Sequence, residues 1–94
     1  MVFEWDENKN LLNIKKHRFG FDLASAVFED SSLLTELDSR DKYFEERWRT
    51  IGLVQGILLT VIHTVGNYYG EEIIRIISAR KADKKEARRY CFYR

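Results

Sequence analysis

Charged side chains that can bind and cleave a phosphodiester occur in three places along this chain. In the first, an isoleucine-rich stretch begins at Arg75, ends at Arg80 and leads into Lys81, Lys84 and Lys85. An arginine on a rigid strand suits phosphate, because its planar guanidinium donates two parallel hydrogen bonds to an oxyanion. The stretch therefore predicts a phosphate-binding element, with the three lysines as further phosphate contacts.

The second place is the pair Glu46 and Arg47, where a strand pattern begins. A carboxylate beside an arginine can act as a general base while the cation holds the phosphate. The same two residues can also form an exposed ion pair at the entry of a strand, and such pairs contribute little to stability. The residues alone leave both interpretations open.

The third place is Lys16 and His17, at the end of the predicted first helix. Cations stabilise the C-terminus of a helix through the helix dipole, which is a sufficient structural reason for them. Histidine also titrates near neutrality, with an unperturbed pKa of roughly 6.5, so His17 could transfer protons during RNA cleavage. His63 lies in the middle of a strand pattern, and we expect it to be packed or hydrogen-bonded instead.

Together these groups indicate phosphate chemistry on RNA that needs no metal. The 2′-hydroxyl of RNA is a built-in nucleophile, so the reaction needs a base, cations on the phosphate and an acid for the 5′-oxygen. The sequence has no spaced metal ligands and no GxGxxG, Walker or GxSxG motif, so we expect no metal and no cofactor. Two alternatives stay open: a non-catalytic nucleic-acid-binding module, and a subunit that only binds a partner protein.

The composition is that of one folded domain with an uneven distribution of charge. Residues 1–46 carry a net charge of −5 and residues 47–94 a net charge of +6, which favours one anion-binding face. The length suits a single domain over 1–94, and the single cysteine excludes an internal disulfide. No apolar run approaches the ~20 residues that cross a membrane, and the N-terminus is not a signal peptide. We therefore expect a cytoplasmic protein without membrane contact.

Periodicity and capping signals predict the elements that position these groups. Asp6 is a good N-cap, so a helix should run to about His17, with Leu11 and Ile14 on one face. Gln55-Gly56 should form a tight hairpin turn and 65–70 a longer one. A short helix after Gly20 should bury Leu23, Ala24, Val27 and Phe28, and a last helix should begin with a capping box at Asp83 and Glu86 and run to about Tyr93. The predicted strands are 2–5, an edge strand over 33–37, and three strands over 47–54, 57–64 and 72–79. A polar loop is predicted over 38–42.

These elements predict a compact α+β domain, in which a strand and two helices precede an antiparallel meander and a C-terminal helix. Arg75 and Arg80 are five positions apart, so on an unbroken strand they would point to opposite faces. A common site therefore requires the strand to end near Ser78 or Ala79. An arginine among isoleucines also needs a partner or an exposed edge. The candidate partners of Arg75 are Glu45, Glu46 and Glu72.

Segments spread in order over nearly the whole chain resemble the BrnT toxin family. They are Phe3-Glu4-Trp5-Asp6-Glu7-Asn8-Lys9, Asn13 with Lys16-His17, Phe21 with Ala24, Val27-Phe28 with Asp30, Glu46-Arg47-Trp48 with Ile51-Gly52, and the run from Arg75 to Arg80 with Lys85-Glu86 and Tyr90. Each segment is weak alone, whereas the joint pattern is specific. The chain departs from the usual pattern after Lys16-His17, where the family commonly has glycine and a small polar helix cap and this chain has Arg18 and Gly20.

The resemblance implies a ribonuclease toxin of a type II toxin–antitoxin pair, with a fold similar to that of RelE-type toxins. Such a toxin would block translation until a BrnA antitoxin binds it. That antitoxin typically carries a ribbon-helix-helix DNA-binding part, so the toxin would meet DNA only through its partner. On matching positions the resemblance implies a site formed by Lys16, His17, Glu46, Arg47, Arg75, Ser78 and Arg80. We expect the three arginines to hold the phosphate with help from Lys16, Glu46 to act as base and His17 as acid, although the reverse assignment is chemically reasonable.

Overall fold

The computed structural model describes residues 1–40 and 45–92, and it confirms the predicted α+β class. The elements are β1 (Val2–Trp5), α1 (Glu7–His17), α2 (Phe21–Ala24), a 3-10 helix (Ser25–Glu29), β2 (Leu34–Arg40), β3 (Glu46–Val54), β4 (Ile57–Tyr68), β5 (Glu71–Lys81) and α3 (Lys84–Phe92). The predicted end of the last helix, at Tyr93, lies outside the described residues. No helix in the described ranges is long and apolar enough to cross a membrane.

The five strands form one mixed sheet in the order β1-β5-β4-β3-β2. Strands β2 to β5 are an antiparallel meander. Strand β1 joins this meander as a parallel neighbour of β5, with Val2 opposite Ile73 and Glu4 opposite Arg75. This long-range pairing brings the N-terminal residues to the strand that carries two of the predicted site arginines.

The two hairpin turns of the meander are both tight. At Gln55 and Gly56 the φ angles are 50° and 81°, which suit a type I′ turn and confirm the first prediction. The predicted longer turn over 65–70 is wrong, because β4 stays paired with β5 as far as Tyr68. Only Tyr69-Gly70 connects these two strands, again with positive φ angles, of 50° and 84°. The meander is therefore longer and more regular than the sequence pattern predicts.

Strand β2 also extends further than predicted. Residues 38–40 of the predicted polar loop belong to β2, where Ser39 pairs with Arg47 and Arg40 with Glu46. The register shifts between Leu37 and Ser39, so Asp38 is an extra residue in this strand. The loop prediction is thus wrong for 38–40, because charged residues can pair at the edge of a sheet. Residues 41–42 of that prediction lie outside the described residues.

A β-bulge places Arg75 and Arg80 on the same face of the sheet. Arg80 pairs with Thr60 and Arg75 with Thr64, and residues four apart on a regular strand share a face. The register shifts between these two pairs and leaves Ile77 as an extra residue in β5. The requirement that the strand end between the arginines is therefore wrong. Strand β5 continues, and the inserted residue reverses the parity of the residues after it.

The core lies between the sheet and the short helical segments after α1. Phe21, Ala24 and Val27 are completely buried, and this confirms the burial predicted for Ala24 and Val27. The 3-10 helix approaches β3 so closely that a Cβ on Gly52 would lie 2.8 Å from the Val27 carbonyl oxygen. The other two members of the predicted stripe are partly buried and pack against the core; they are Leu23 and Phe28.

His63 is buried within the sheet, as expected from its position in a strand pattern. Its Nε2 lies 2.7 Å from the Thr50 hydroxyl oxygen, and its Nδ1 lies 3.2 Å from the Thr64 carbonyl oxygen. The Phe28 ring packs edge-on against the imidazole with the ring centroids 5.0 Å apart. Burial lowers the pKa of His63, so this imidazole favours its neutral form. Its contacts are those of a structural residue.

Candidate active site

The face of the sheet opposite the core carries arginines from β3 and β5. Val61 packs in the core, so its neighbour Thr60 points to the opposite face, together with its partner Arg80. The same register places Arg75 and Arg49 on this face. Alternation along β3 adds the residue two positions before Arg49. We call the surface formed by Arg47, Arg49, Arg75 and Arg80 the arginine face.

Helix α3 closes over one part of the arginine face through Glu86. The predicted capping box is confirmed, because the Glu86 amide donates to Asp83 Oδ1 at 2.8 Å and the Asp83 amide donates to Glu86 Oε1 at 2.9 Å. Arg80 donates from Nη1 and Nη2 to the two oxygens of the same carboxylate, at 2.7 and 3.0 Å. The Thr60 hydroxyl adds a hydrogen bond of 3.1 Å. Glu86 therefore links α3 to two strands.

The Glu86 carboxylate is charged although its side chain is only 2% exposed. Burial alone would raise its pKa, but the hydrogen bonds from Arg80, Asp83 and Thr60 and the charge of Arg80 outweigh burial and lower the pKa to about 2. The same pairing raises the pKa of Arg80. Both partners are thus fixed in their ionised forms, and Arg80 is held in one orientation.

Two further arginines, which no sequence motif indicates, extend this ion-pair network. Arg49 Nη1 donates to Asp38 Oδ1 at 3.0 Å, and Arg49 Nε lies 3.4 Å from Glu36 Oε1. Arg89 of α3 donates from Nε and Nη2 to Glu36 at 2.9 and 3.1 Å. Strand alternation from Arg47 could have indicated Arg49. No spacing could have indicated Arg89, because its partner lies 53 positions away.

Arg75 lies on the open part of the arginine face. Its Nη1 is 3.5 Å from Glu4 Oε1, and both side chains are about half exposed. The expectation that Glu45, Glu46 or Glu72 would be its ion-pair partner is wrong, because the parallel pairing of β1 places Glu4 directly beside it. Arg75 and Glu46 nevertheless line one shallow cavity of about 580 Å³, together with Glu4, Glu45 and Trp48. Glu46 also lies 3.5 Å from Arg40.

Arg47 differs from the other arginines of this face. It makes no ion pair within the described residues, and its Nε is buried without a hydrogen-bond partner there. Buried donors are nearly always satisfied in folded proteins, so each exception calls for an explanation. An acceptor supplied from outside the chain would satisfy this one.

The remaining predicted residues lie around the end of α1 and the start of α3. Lys16, His17 and Ser78 line a cavity of about 290 Å³ between α1 and β5. His17 and Lys81 line a second cavity, of about 270 Å³. The other two lysines predicted to contact phosphate are exposed in the first turn of α3; they are Lys84 and Lys85.

The loop that follows His17 begins in a strained conformation. Arg18 has a φ of 73° and a ψ of 12°, the left-handed region that favours glycine, and its amide donates to the Ile14 carbonyl at 2.8 Å. Glycine would adopt this conformation without strain, whereas the arginine at position 18 is strained in it.

Apart from Lys84 and Lys85 on α3, the predicted residues therefore fall into two groups. Arg47, Arg75 and Arg80 share the arginine face, and Glu46 lines the cavity at its open end. The second group surrounds the C-terminus of α1 and consists of Lys16, His17, Ser78 and Lys81. Within residues 1–40 and 45–92, no group of three or more histidine, cysteine, aspartate or glutamate residues is placed so that it could hold a metal ion.

A family model matches this chain over residues 5–86. Its description is a ribonuclease toxin, BrnT, of a type II toxin–antitoxin system. No curated protein shows significant similarity to the chain. The matched range includes every residue of both groups and also Glu86, which holds Arg80.

Proposed function

The chain belongs to the BrnT family of ribonuclease toxins of type II toxin–antitoxin systems, and we propose that it is an endoribonuclease that cleaves RNA without a metal ion. Cleavage would block translation in the cytoplasm. The family implies an antitoxin partner, and we propose an antitoxin of the BrnA type with a ribbon-helix-helix DNA-binding part. We also propose a RelE-like arrangement, with the whole of 1–94 as one toxin domain.

In the proposed reaction the RNA supplies its own nucleophile. A base removes the proton of the 2′-hydroxyl, and the 2′-oxygen attacks the adjacent phosphorus. The bond from phosphorus to the 5′-oxygen breaks, and an acid protonates that oxygen. The products are a 2′,3′-cyclic phosphate and a 5′-hydroxyl. The protein has to supply the base, the acid and cations that stabilise the charge on the phosphate oxygens.

The main support for this proposal is the buried Nε of Arg47, which has no hydrogen-bond partner within the described residues. Leaving a buried donor unsatisfied costs ~1–3 kcal/mol, so the Nε of Arg47 favours any ligand that brings an acceptor to it. A phosphate oxygen suits this position, because a guanidinium binds phosphate through short, charge-assisted hydrogen bonds. We therefore assign Arg47 to the scissile phosphate.

The other residues of the arginine face support the same assignment. Arg75 is half exposed and its contact with Glu4 is long, so it can exchange that carboxylate for phosphate at little cost. Glu46 lines the cavity beside Arg75 and is the proposed base. Arg80 is engaged by Glu86 and contributes through its remaining N–H groups.

The group at the end of α1 supplies the proposed acid. His17 is the candidate, with Lys16 assisting on the phosphate, and Ser78 lines the same cavity. Lys81, Lys84 and Lys85 would contact flanking phosphates, which makes RNA affinity fall as salt rises. The reverse assignment, with His17 as base and Glu46 as acid, is also chemically reasonable and gives the same products.

Cleavage of a labelled RNA by the purified protein in EDTA tests this proposal. We expect Arg47→Ala to lower the cleavage rate about 100-fold or more, as the loss of a transition-state donor does elsewhere. The cleavage rate of Arg47→Lys should lie between those of the wild type and Arg47→Ala, because lysine keeps the positive charge but lacks the planar guanidinium. Arg88→Ala is the matched control: it removes the same charge from an exposed position on α3 and should change the rate by no more than about twofold.

The ends of the products identify the mechanism. A 2′,3′-cyclic phosphate, a 5′-hydroxyl and no cleavage of 2′-O-methyl RNA are expected. A folded Arg47→Ala variant that cleaves at the wild-type rate would refute the proposed site. RNA that binds but stays intact after long incubation would instead favour a non-catalytic nucleic-acid-binding module.

A further inference from the structure

Helix α1 is attached to the fold by amide side chains and not by an apolar face. Its buried residues are Asn10 and Asn13. Asn10 Oδ1 accepts a hydrogen bond from the Phe21 amide at 2.8 Å, and Asn13 Oδ1 accepts one from the Ala79 amide at 3.1 Å. Asn13 also donates to the Phe19 carbonyl at 3.1 Å. The polar side of the helix thus faces the protein.

The apolar residues of α1 face outward as a consequence. Leu11 is 56% exposed, Leu12 66% and Ile14 41%. Burial of leucine side chains is favourable, and the outer side of α1 leaves both leucines available for burial against a partner. Single exposed apolar residues are ordinary, but three on the outer side of one helix, two of them adjacent, favour a contact surface.

Lysines lie around these leucines on the surface of α1. Lys15 lies one turn after Leu11, and Lys9 and Lys16 lie one turn before and after Leu12. All three lysines are exposed. None of them forms an ion pair within the part of the chain that the structure describes.

A cavity beside α1 extends the same pattern. It measures about 290 Å³, lies between α1 and β5, and includes Leu12 and Ile77 among its lining residues, with Lys9 and Lys16 as its cations. It therefore suits an apolar side chain flanked by carboxylates. We call the surface formed by Lys9, Leu11, Leu12, Lys15 and Lys16 the α1 surface.

We propose that the α1 surface binds the antitoxin through an amphipathic acidic helix. One side of that helix carries apolar residues for Leu11 and Leu12, and flanking carboxylates pair with the lysines. RNA is a weaker candidate, because phosphates would pair with the lysines but leave both leucines exposed. The occupant would cover Lys16 and His17 and so remove the proposed acid from RNA. This last point rests on the proposed function, whereas the docking itself requires only that the toxin has an antitoxin.

The test measures binding of the antitoxin encoded beside the toxin gene to the Leu11→Ser/Leu12→Ser variant. We expect binding to weaken by about tenfold or more, as for truncation of residues at the centre of an interface. RNA cleavage should be unchanged in the single variant Leu11→Ser, because Leu11, unlike Leu12, does not line the cavity that contains Lys16, His17 and Ser78. In the wild-type complex, hydrogen exchange should slow across the amides of α1.

The matched control is Leu37→Ser/Leu53→Ser, which makes the same change at two leucines of comparable exposure on β2 and β3. It should leave antitoxin binding unchanged. Lys9→Glu/Lys15→Glu provides an independent variant, and it should weaken binding more at low salt than at high salt. These lysines lie outside the proposed catalytic residues.

Wild-type affinity of both the leucine and the lysine variants for the antitoxin would overturn the inference. Loss of RNA binding with antitoxin binding intact would also overturn it, because RNA would then be the occupant. A protein that binds the antitoxin through α1 but never cleaves RNA would leave the inference standing while refuting the proposed function.

Discussion

Replacing Glu86 with glutamine tests whether one buried carboxylate holds α3 and Arg80 against the sheet. Glutamine keeps an oxygen for Thr60 and the Asp83 amide but removes the charge that faces the Arg80 fork. One pKa unit corresponds to ~1.4 kcal/mol, so lowering the pKa of Glu86 from 4.5 to about 2 contributes ~3 kcal/mol to the free energy of unfolding. Loss of one partner of a buried ion pair costs ~3–5 kcal/mol in other proteins, which agrees with this magnitude.

The pH dependence separates the charge of Glu86 from its shape. The folded-state pKa lies below the unfolded value of 4.5, so the stabilisation is fully present above pH 4.5 and is lost as the pH falls towards 2. Glutamine does not titrate. The difference in unfolding free energy between the wild type and Glu86→Gln should therefore be ~3 kcal/mol at pH 6 and shrink towards zero near pH 2.

Urea denaturation followed by tryptophan fluorescence measures this difference at pH 6, 4.5, 3 and 2.5. The matched control is Glu71→Gln, whose carboxylate is 51% exposed and pairs with the N-terminal ammonium. Exposed pairs contribute ~0–1 kcal/mol, so the control should change stability by less than ~1 kcal/mol at pH 6. A Glu86→Gln difference that is equal at pH 6 and pH 3 would refute the role assigned to the charge.

Two further substitutions test the backbone geometry. Arg18→Gly should raise the free energy of unfolding by ~1 kcal/mol, because glycine adopts the left-handed backbone conformation of this position without strain. The control Arg88→Gly, inside α3, should lower the free energy of unfolding by ~1 kcal/mol. Equal effects of the two substitutions in urea denaturation would contradict the strain at Arg18. Gly52→Ala should lower the melting temperature and cost ~1–3 kcal/mol, because its Cβ would lie 2.8 Å from the Val27 carbonyl oxygen. The control for Gly52→Ala is Gly66→Ala, whose Cβ would have no other atom closer than 4.0 Å. Similar melting temperatures for the two variants would show that β3 can move away from the 3-10 helix.

Local signals predict the elements of this fold well, and long-range pairing explains the errors. The N-cap Asp6, the turn at Gln55-Gly56 and the capping box at Asp83 each depend on residues within a few positions, and all three are confirmed. The partner of Arg75 depends on a strand about seventy positions away. The bulge at Ile77 is one residue that no pattern indicates, yet it decides which face Arg80 occupies.

The orientation of α1 has a physical cause that hydrophobic periodicity cannot detect. Strand β1 pairs with β5 only as far as Ile76, so beyond that point none of the described strands pairs with β5 on this side. A buried amide there needs an acceptor. Asn13 supplies one to Ala79. A leucine on the inner side of the helix could not do so, and the apolar residues are consequently left on the outer side.

The acidic residues on the arginine face are compatible with an anion-binding site, because they divide its arginines into two kinds. Arg49 and Arg80 are engaged by Glu36, Asp38 and Glu86 in contacts of 2.7–3.4 Å. Arg89 of α3 also pairs with Glu36, and these contacts together fix β2, β3, β5 and α3 relative to one another. Arg75 has one long, exposed contact, and the Nε of Arg47 has no partner within the described residues. A phosphate is therefore expected to bind mainly to Arg47 and Arg75, the two arginines that are least engaged by carboxylates of the protein. The network fixes the strands that carry them, so less ordering is required when RNA binds.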